Sequence, residues 1–123
     1  KVRSLIDDNY YKTFSELNND VSHTTWLCPA SGLVLPEVTG FSKKIAFRIT
    51  RHKVSCEICQ LLDFPIISTS ANRVGDEPIV NFKRIKQYFD NEVDYIIEGE
   101  LGSSSKPSRI LDLLTKEVLR AGD

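Results

Sequence analysis

A run of hydroxyl and amide side chains follows a short apolar segment near the middle of the chain. Residues 65–67 are apolar and lead directly into the sequence S-T-S-A-N, which places Ser68, Ser70 and Asn72 at the end of a predicted buried strand. In open α/β sheets ligands bind beyond the carboxyl ends of strands, so these side chains could contact a substrate. A polar turn that satisfies its own backbone is the alternative, and the residues alone leave both interpretations open.

Arg48 lies within the apolar stretch 44–49, between Phe47 and Ile49. An unpaired charge is costly to bury, so this position predicts a partner for the guanidinium group. The partner is either a carboxylate of the protein or an anionic ligand, for which a guanidinium fork is well matched. Both a structural ion pair and a ligand-binding role therefore stay open for Arg48.

Three further polar residues are candidates for binding an anion. Lys44 begins the stretch that contains Arg48, and Arg120 lies two residues before Gly122. Either cation could contact phosphate, although Lys and Arg near strand ends are commonly only solvated. Ser108 follows the glycine- and serine-rich segment 99–107 and carries a weak signal by itself.

Cysteine chemistry and the common nucleotide motifs are not indicated. Cys56 and Cys59 have the spacing of a zinc-binding or redox pair, but no second pair of ligands accompanies them. They also fall inside a predicted helix, so we expect reduced thiols and no zinc. The chain has no Walker-type loop, dinucleotide glycine motif or nucleophile elbow, so a bound nucleotide would need a different cradle.

The periodicity of apolar residues predicts the elements that would position these groups. Thr50 and Asn81 are candidate caps of two of the helices, and a tight turn is expected at Thr115 and Lys116. The pattern indicates α/β architecture with a mixed sheet of parallel and antiparallel strands. Helices are predicted at residues 10–18, 52–62 and 81–90, and strands at 33–35, 44–49, 64–67, 93–97, 109–113 and 117–120.

Composition limits the class of protein. The chain has 123 residues, of which 41% are hydrophobic and 27% charged, as is typical of one folded domain. A net charge of −1 argues against a dedicated nucleic-acid binder, so any RNA contact would use a local patch. Since there is neither a long apolar run nor a leader-like segment, we expect a cytoplasmic protein without membrane contact.

Five segments in order resemble the motifs of the YrdC/TsaC-like family. The S-T-S-A-N run at residues 68–72 is the most specific, and Leu119 to Gly122 resembles the terminal L-R-x-G. The other three are residues 26–36, similar to W-P-G-P-x-T-x-x-x-P, residues 46–48, similar to A-V-R, and residues 107–112, similar to P-S-T-x-x-D.

The resemblance implies a fold and a reaction. The fold would be a YrdC-like twisted mixed sheet with helices packed on it and a concave ligand face. Residues 1–123 would form the carboxy-terminal two-thirds of a single YrdC-like domain. L-threonine and bicarbonate would form a carbamate that attacks the α-phosphate of ATP, releasing pyrophosphate, with Mg²⁺ expected and tRNA modification as the purpose. The resemblance assigns threonine or carbamate binding to Arg48, Ser68 and Ser108, and ATP binding to Lys44, Ser70, Asn72 and Arg120.

Two departures from the family pattern accompany the match. The segment 27–31 reads L-C-P-A-S where the family has P-G-P-x-T. The upstream P-T-E-T-x-Y-G motif does not occur, and Lys1-Val2-Arg3 is not the family's upstream K-x-R motif, because the residues that follow it do not match. We therefore expect residues 1–123 alone to be inactive. The expected partners are a threonylcarbamoyl-transferase machinery of the TsaD, TsaB and TsaE type and a weak tRNA contact. A carbamoyl-adenylate-forming domain of the hydrogenase-maturation type and a non-catalytic RNA-binding module stay open as alternatives.

Overall fold

The computed structural model describes residues 2–17, 23–102 and 106–122. It contains two compact units. The first, here called the sheet unit, comprises Lys1–Pro65 and Ser104–Asp123, and the second, called the loop unit, comprises Ile66–Ser103. None of the described helices exceeds 10 residues, so none of them could span a bilayer.

The sheet unit is organised around four strands, β1 (Thr24–Pro29), β2 (Lys44–Arg48), β3 (Arg109–Asp112) and β4 (Val118–Arg120). Their order across the sheet is β2-β1-β3-β4. The β1–β2 and β3–β4 pairs are antiparallel, whereas β1 and β3 are parallel. The prediction of an α/β fold with a mixed sheet is confirmed.

One face of this sheet carries the hydrophobic core. Alternate residues of β1 are buried, as expected when successive side chains of a strand point to opposite faces. Helix α1 (Asp8–Leu17) packs its Phe14 ring against Phe47 of β2, with ring centroids 5.9 Å apart. The buried apolar residues are Ile6, Phe14, Trp26, Cys28, Ile45, Phe47, Leu111 and Leu113. The opposite face, which contains Thr25 and Arg48, is here called the open face.

The remaining helices are short. A 3₁₀ helix spans Arg3–Leu5, α2 spans Pro36–Thr39, α3 spans Lys53–Leu62 and, in the loop unit, α4 spans Phe82–Phe89. Asn81 caps α4 as predicted, because its side chain accepts a hydrogen bond from the amide of Arg84. The predicted cap Thr50 is wrong: His52 is the N-cap of α3, and its side chain accepts from the amide of Ser55.

Three predicted strands are wrong, and one strand was missed. The structure assigns no strand to residues 33–35, 64–67 or 93–97. Residues 33–35 form a turn in which the amide of Val34 donates to the carbonyl of Ser31, and Leu33 is 74% exposed. Pro36–Thr39, for which no helix was predicted, forms helix α2. Strand β1 was not predicted, and Pro29, an unfavourable residue within strands, lies at its end.

Candidate active site

A row of residues crosses the open face of the sheet from one edge to the other. Thr25 of β1 is opposite Arg48 of β2 and beside Ile110 of β3, and Ile110 is opposite Arg120 of β4. Residues that face each other on neighbouring strands project from the same face, with Cβ atoms about 5 Å apart in antiparallel pairs. The register therefore places Arg48 and Arg120 on the same face, with Thr25 between them.

Ser108 joins this row through hydrogen bonds to two strands. Its Oγ lies 2.7 Å from Oγ1 of Thr25, and Nη2 of Arg120 donates to the same Oγ at 3.2 Å. Arg120 also donates from Nε and Nη2 to the Ser108 carbonyl oxygen, at 3.0 and 2.7 Å. Ser108 is only 6% exposed, so these contacts hold it at the base of the open face.

Among the described residues, no acidic side chain pairs with either guanidinium group of the row. Arg48 lies at the end of β2 and is exposed, and it has no hydrogen bond or ion pair with any described residue. Arg120 bonds only to Ser108 among the described residues. The expectation that Arg48 is buried is wrong, and the structural ion pair considered for it has no partner here. Two unbalanced cations beside a hydroxyl pair form an arrangement that suits a carboxylate or phosphate.

Lys44, at the other end of β2, is paired within the protein. Its ammonium group forms a short hydrogen-bonded ion pair with Oδ2 of Asp112, which is 3% exposed. The other carboxylate oxygen accepts from the amides of Leu114 and Thr115, at 2.9 and 3.0 Å. The hydrogen bond from Lys44 lowers the pKa of Asp112 to about 2, with the bond from Thr115 as the next cause. Lys44 is therefore fixed by Asp112 and contributes little net charge to the row.

Replacing Asp112 with Asn tests this pair. The variant should be less stable than the parent protein at pH 7 by about 1 kcal/mol, after allowance for solvent screening at the partly exposed Lys44. The pKa of Asp112 is lower in the folded than in the unfolded protein, so its stabilising effect is present above about pH 4 and is lost towards pH 2. Urea unfolding of both proteins across this pH range measures the difference.

The exposed Asp94, which has no hydrogen bond or ion pair with a described residue, provides a control, and Asp94→Asn should unfold in urea as the parent protein does. A stability difference between Asp112→Asn and the parent that stays constant from pH 7 to pH 2 would contradict the assignment.

The L-R-x-G segment ends in a glycine because a side chain does not fit at position 122. A Cβ atom at this position would press against the backbone nitrogen of Arg109, and would lie 2.6 Å from the carbonyl oxygen of Pro107 and 2.8 Å from the carbonyl carbon of Ser108. All three contacts are with backbone atoms, which cannot rotate away as a side chain can. The absence of a side chain at Gly122 thus allows the chain after β4 to pack directly against the segment that presents Ser108.

The S-T-S-A-N segment lies in the loop unit, where its members differ in their hydrogen bonding. Ser68 and Ser70 are exposed, and their hydroxyl groups have no partner among the described residues. Asn72 donates from Nδ2 to the carbonyl oxygens of Arg73 and Asp76, at 2.9 and 3.0 Å. These two carbonyl partners fix the orientation of the amide, because a flipped amide would place oxygen against oxygen. The polar-turn interpretation thus applies to Asn72, while the two serines are available to a ligand.

The loop that follows is attached to helix α4 and its flank. The phenol of Tyr88 donates to Oδ2 of Asp76 at 2.9 Å, and the Arg73 guanidinium forms a short ion pair with Glu92. Arg73 also lies over the Tyr88 ring, with 5.6 Å between its Cζ atom and the ring centroid. Asn72 therefore belongs to a network that gives the loop a defined shape.

The cysteines are free thiols, as predicted. Burial raises the pKa of Cys28 to about 12, so this core thiol is not a nucleophile at neutral pH. Cys56 and Cys59 are half-buried in α3 rather than fully buried. In residues 2–17, 23–102 and 106–122, no three His, Cys, Asp or Glu side chains are placed to hold a metal ion.

Two residues of the site were not assigned a role from the sequence. Thr25 was missed together with strand β1, although the β-branched and aromatic residues 24–26 were a signal for a strand. Asp112 was noted only as part of the P-S-T-x-x-D match, and its pairing with Lys44 spans strand β1, which lies between β2 and β3. Of the predicted residues, the structure brings Arg48, Ser108, Arg120 and Lys44 onto one sheet.

Together these features define an α/β protein with a four-stranded mixed sheet whose open face presents cations and hydroxyl groups for an anion. The model of the Sua5, YciO and YrdC family, which has the description "Telomere recombination", matches residues 8–122. The chain belongs to this family, and the resemblance seen in the sequence is confirmed.

Three curated relatives illustrate the similarity, and each bears the name threonylcarbamoyl-AMP synthase. The protein of Cellvibrio japonicus is 38% identical over 78% of this chain and 51% of its own length. That of Coxiella burnetii is 41% identical over 78% and 52%, and that of Pseudomonas syringae is 38% identical over 94% and 65%. The chain thus spans about half to two-thirds of the length of these relatives.

Solved structures support the fold. The crystal structure of P. abyssi Sua5 complexed with L-threonine has a TM-score of 0.84 at 22% identity, and the match covers 97% of this chain and 36% of that one. A doubly substituted P. abyssi Sua5 has a TM-score of 0.86, also at 22% identity, with 98% and 38% covered. The YrdC-like fold class predicted from the sequence is confirmed.

Proposed function

We propose that this protein is an L-threonylcarbamoyladenylate synthase, which makes threonylcarbamoyl-AMP, pyrophosphate and water from L-threonine, bicarbonate and ATP. The observation that carries the proposal is the pair of guanidinium groups, Arg48 and Arg120, on one sheet face beside the Ser108 hydroxyl, with no carboxylate bound to either among the described residues. The relatives named threonylcarbamoyl-AMP synthase supply the reaction, and the family's S-T-S-A-N run supplies further hydroxyl groups.

Threonine, or the carbamate formed from it, would be bound by Arg48, Ser68 and Ser108. A guanidinium group binds a carboxylate through two parallel hydrogen bonds, and Arg48 is exposed with both of its terminal nitrogens available. The exposed Ser68 hydroxyl and the Ser108 hydroxyl would complete the set as donors or acceptors. Arg48 would thereby balance the negative charge of the carboxylate, and it would not first have to leave an ion pair with a described residue.

The family resemblance assigns ATP binding to Ser70, Asn72, Lys44 and Arg120. Arg120 is held by the Ser108 carbonyl, which orients its guanidinium group without neutralising it. Lys44 is held beside Asp112 by their ion pair, and Asn72 shapes the loop that follows Ser70. Magnesium would enter with ATP as part of the substrate.

The chemistry requires orientation and charge stabilisation rather than a protein nucleophile. The amine of threonine and bicarbonate form the carbamate with loss of water. A carbamate oxygen then attacks the α-phosphorus of ATP, the bond to the β-phosphate breaks, and pyrophosphate leaves with the electron pair. Cations placed where negative charge develops lower the barrier to such a step, and bound substrates gain from fixed orientation.

Release of pyrophosphate by the intact protein tests the proposal. Release should require threonine, bicarbonate and ATP together, and omission of any one should abolish it. Release without threonine would instead favour the carbamoyl-adenylate alternative. Salt-sensitive tRNA affinity with no pyrophosphate release would favour the RNA-binding alternative.

Two substitutions in the S-T-S-A-N run are expected to differ in their effects. Ser70→Ala should weaken ATP binding with a stability change within about 0.5 kcal/mol, because its exposed hydroxyl has no described partner. Asn72→Ala should weaken ATP binding and also destabilise the loop, since each lost hydrogen bond is worth roughly 1 kcal/mol. Calorimetric titration with ATP and thermal melts measure both. Unchanged ATP affinity in both variants would contradict the assignment.

The wider setting is also proposed. The adenylate would pass to a threonylcarbamoyl-transferase machinery of the TsaD, TsaB and TsaE type, with a weak tRNA contact. The cytoplasmic location, and the assignment of residues 1–123 to the carboxy-terminal two-thirds of a single domain, stay predictions.

A further inference from the structure

We propose that Thr25 is a positioning residue that directs the Ser108 hydroxyl toward the bound carboxylate. The inference rests on the proposed function, because it concerns the same threonine site. Thr25 lies in the central strand β1, opposite Arg48, and its Oγ1 is 2.7 Å from Oγ of Ser108. Thr25 thus lies between the exposed guanidinium group of Arg48 and the buried hydroxyl group of Ser108.

The number of hydrogen-bond donors and acceptors around Ser108 shows what its contact with Thr25 does. Nη2 of Arg120 donates to Oγ of Ser108, because a guanidinium group can only donate, so one acceptor position of Ser108 is occupied. If Thr25 donates to Ser108, both acceptor positions are filled and the Ser108 hydrogen is directed outward. If Ser108 donates to Thr25, the Thr25 hydrogen is left over instead. In both arrangements one hydroxyl hydrogen remains for an external acceptor.

The position of Thr25 makes this hydrogen suitable for an anion. A carboxylate bound to Arg48 would favour the arrangement in which the hydrogen points at it, since hydrogen bonds to a charged acceptor are stronger. The β-branched side chain of Thr25 has restricted χ1 rotation in a strand, so its hydroxyl is held in place before the substrate arrives. Without Oγ1 of Thr25, the Ser108 hydroxyl would lose the contact that selects its direction.

Thr25→Val, which removes the hydroxyl and keeps the shape, tests the inference in the intact protein. It should raise the dissociation constant for threonine about 5- to 20-fold, with ATP affinity unchanged within twofold. Thr25→Ser, which keeps the hydroxyl group, should bind threonine with an affinity within about threefold of that of the parent protein. Thr13→Val, at an exposed position of α1, is the matched control and should change neither affinity.

A double variant distinguishes positioning from a structural role. If Thr25 acts through Ser108, the Thr25→Val/Ser108→Ala protein should bind threonine no more weakly than Ser108→Ala alone. Fully additive losses, or unchanged threonine affinity in Thr25→Val, would overturn the inference while leaving the proposed function intact. The inference would also be overturned if Thr25→Val lowered ATP affinity and thermal stability together with threonine affinity, and Thr25→Ser showed the same losses. A parent protein that binds no threonine would overturn the proposed function, and the inference with it.

Discussion

Replacing Arg48 with alanine should weaken threonine binding by about 10- to 100-fold while leaving the melting temperature within about 2 °C of the parent protein. The affinity falls because the variant loses a charge-assisted contact with the carboxylate. Stability is retained because Arg48 is exposed and no described carboxylate depends on it. Calorimetric titration with threonine and a thermal melt of the intact protein measure the two quantities.

Arg51 supplies the control for charge alone. It is an exposed cation three residues further along, outside strand β2, so Arg51→Ala should bind threonine normally. If Arg48 were instead part of a structural ion pair, its removal would lower stability by about 3–5 kcal/mol. A large fall in melting temperature with normal threonine affinity would therefore contradict the ligand-binding role.

Gly122→Ala should affect stability and substrate binding together. The new methyl group would meet the backbone of residues 107–109, so either the chain after β4 or the segment bearing Ser108 must move. Such overpacking costs roughly 1–3 kcal/mol, and the movement would separate Arg120 from Ser108. Urea unfolding, with threonine and ATP titrations, measures the combined loss.

Gly32→Ala is the matched control, because a Cβ atom at Gly32 meets nothing within 4 Å. This variant should unfold and bind substrates as the parent does. Normal substrate affinity and stability in Gly122→Ala would show that the backbone there yields easily, contrary to our expectation.

The sequence predicted best the elements whose pattern is local. Helices α1, α3 and α4 were found because their apolar residues recur at helical spacing, and Asn81 was a recognisable cap. Residues 64–67 and 93–97 were wrongly predicted as strands, although they contain strand-forming residues. Strand propensity describes fit to a paired, half-buried surface, and a segment's own composition does not reveal whether a neighbouring strand is available.

The same distinction applies to the site. Arg48, Ser108 and Arg120 could be selected by their chemistry and by the family motifs, whereas their arrangement depends on the register of four strands. Asp112 was not predicted as the partner of Lys44 because the two are 68 residues apart. The exposure of Arg48 was also not predicted, because the alternation of Ile45 and Phe47 indicates which face of the strand is buried but not whether the opposite face is covered.

The contacts of Ser108 also have a consequence for the order of folding. Its bonds to Arg120 span 12 residues and belong to the β3–β4 hairpin, whereas its bond to Thr25 spans 83 residues and requires the parallel β1–β3 pair. Long-range pairing of this kind forms slowly, because the intervening loop must first be closed. A folding intermediate that contains the hairpin would thus hold Arg120 against Ser108 but lack both Thr25 and Arg48. Threonine would stabilise only the state in which the parallel strands have joined, so its binding during refolding would report that step.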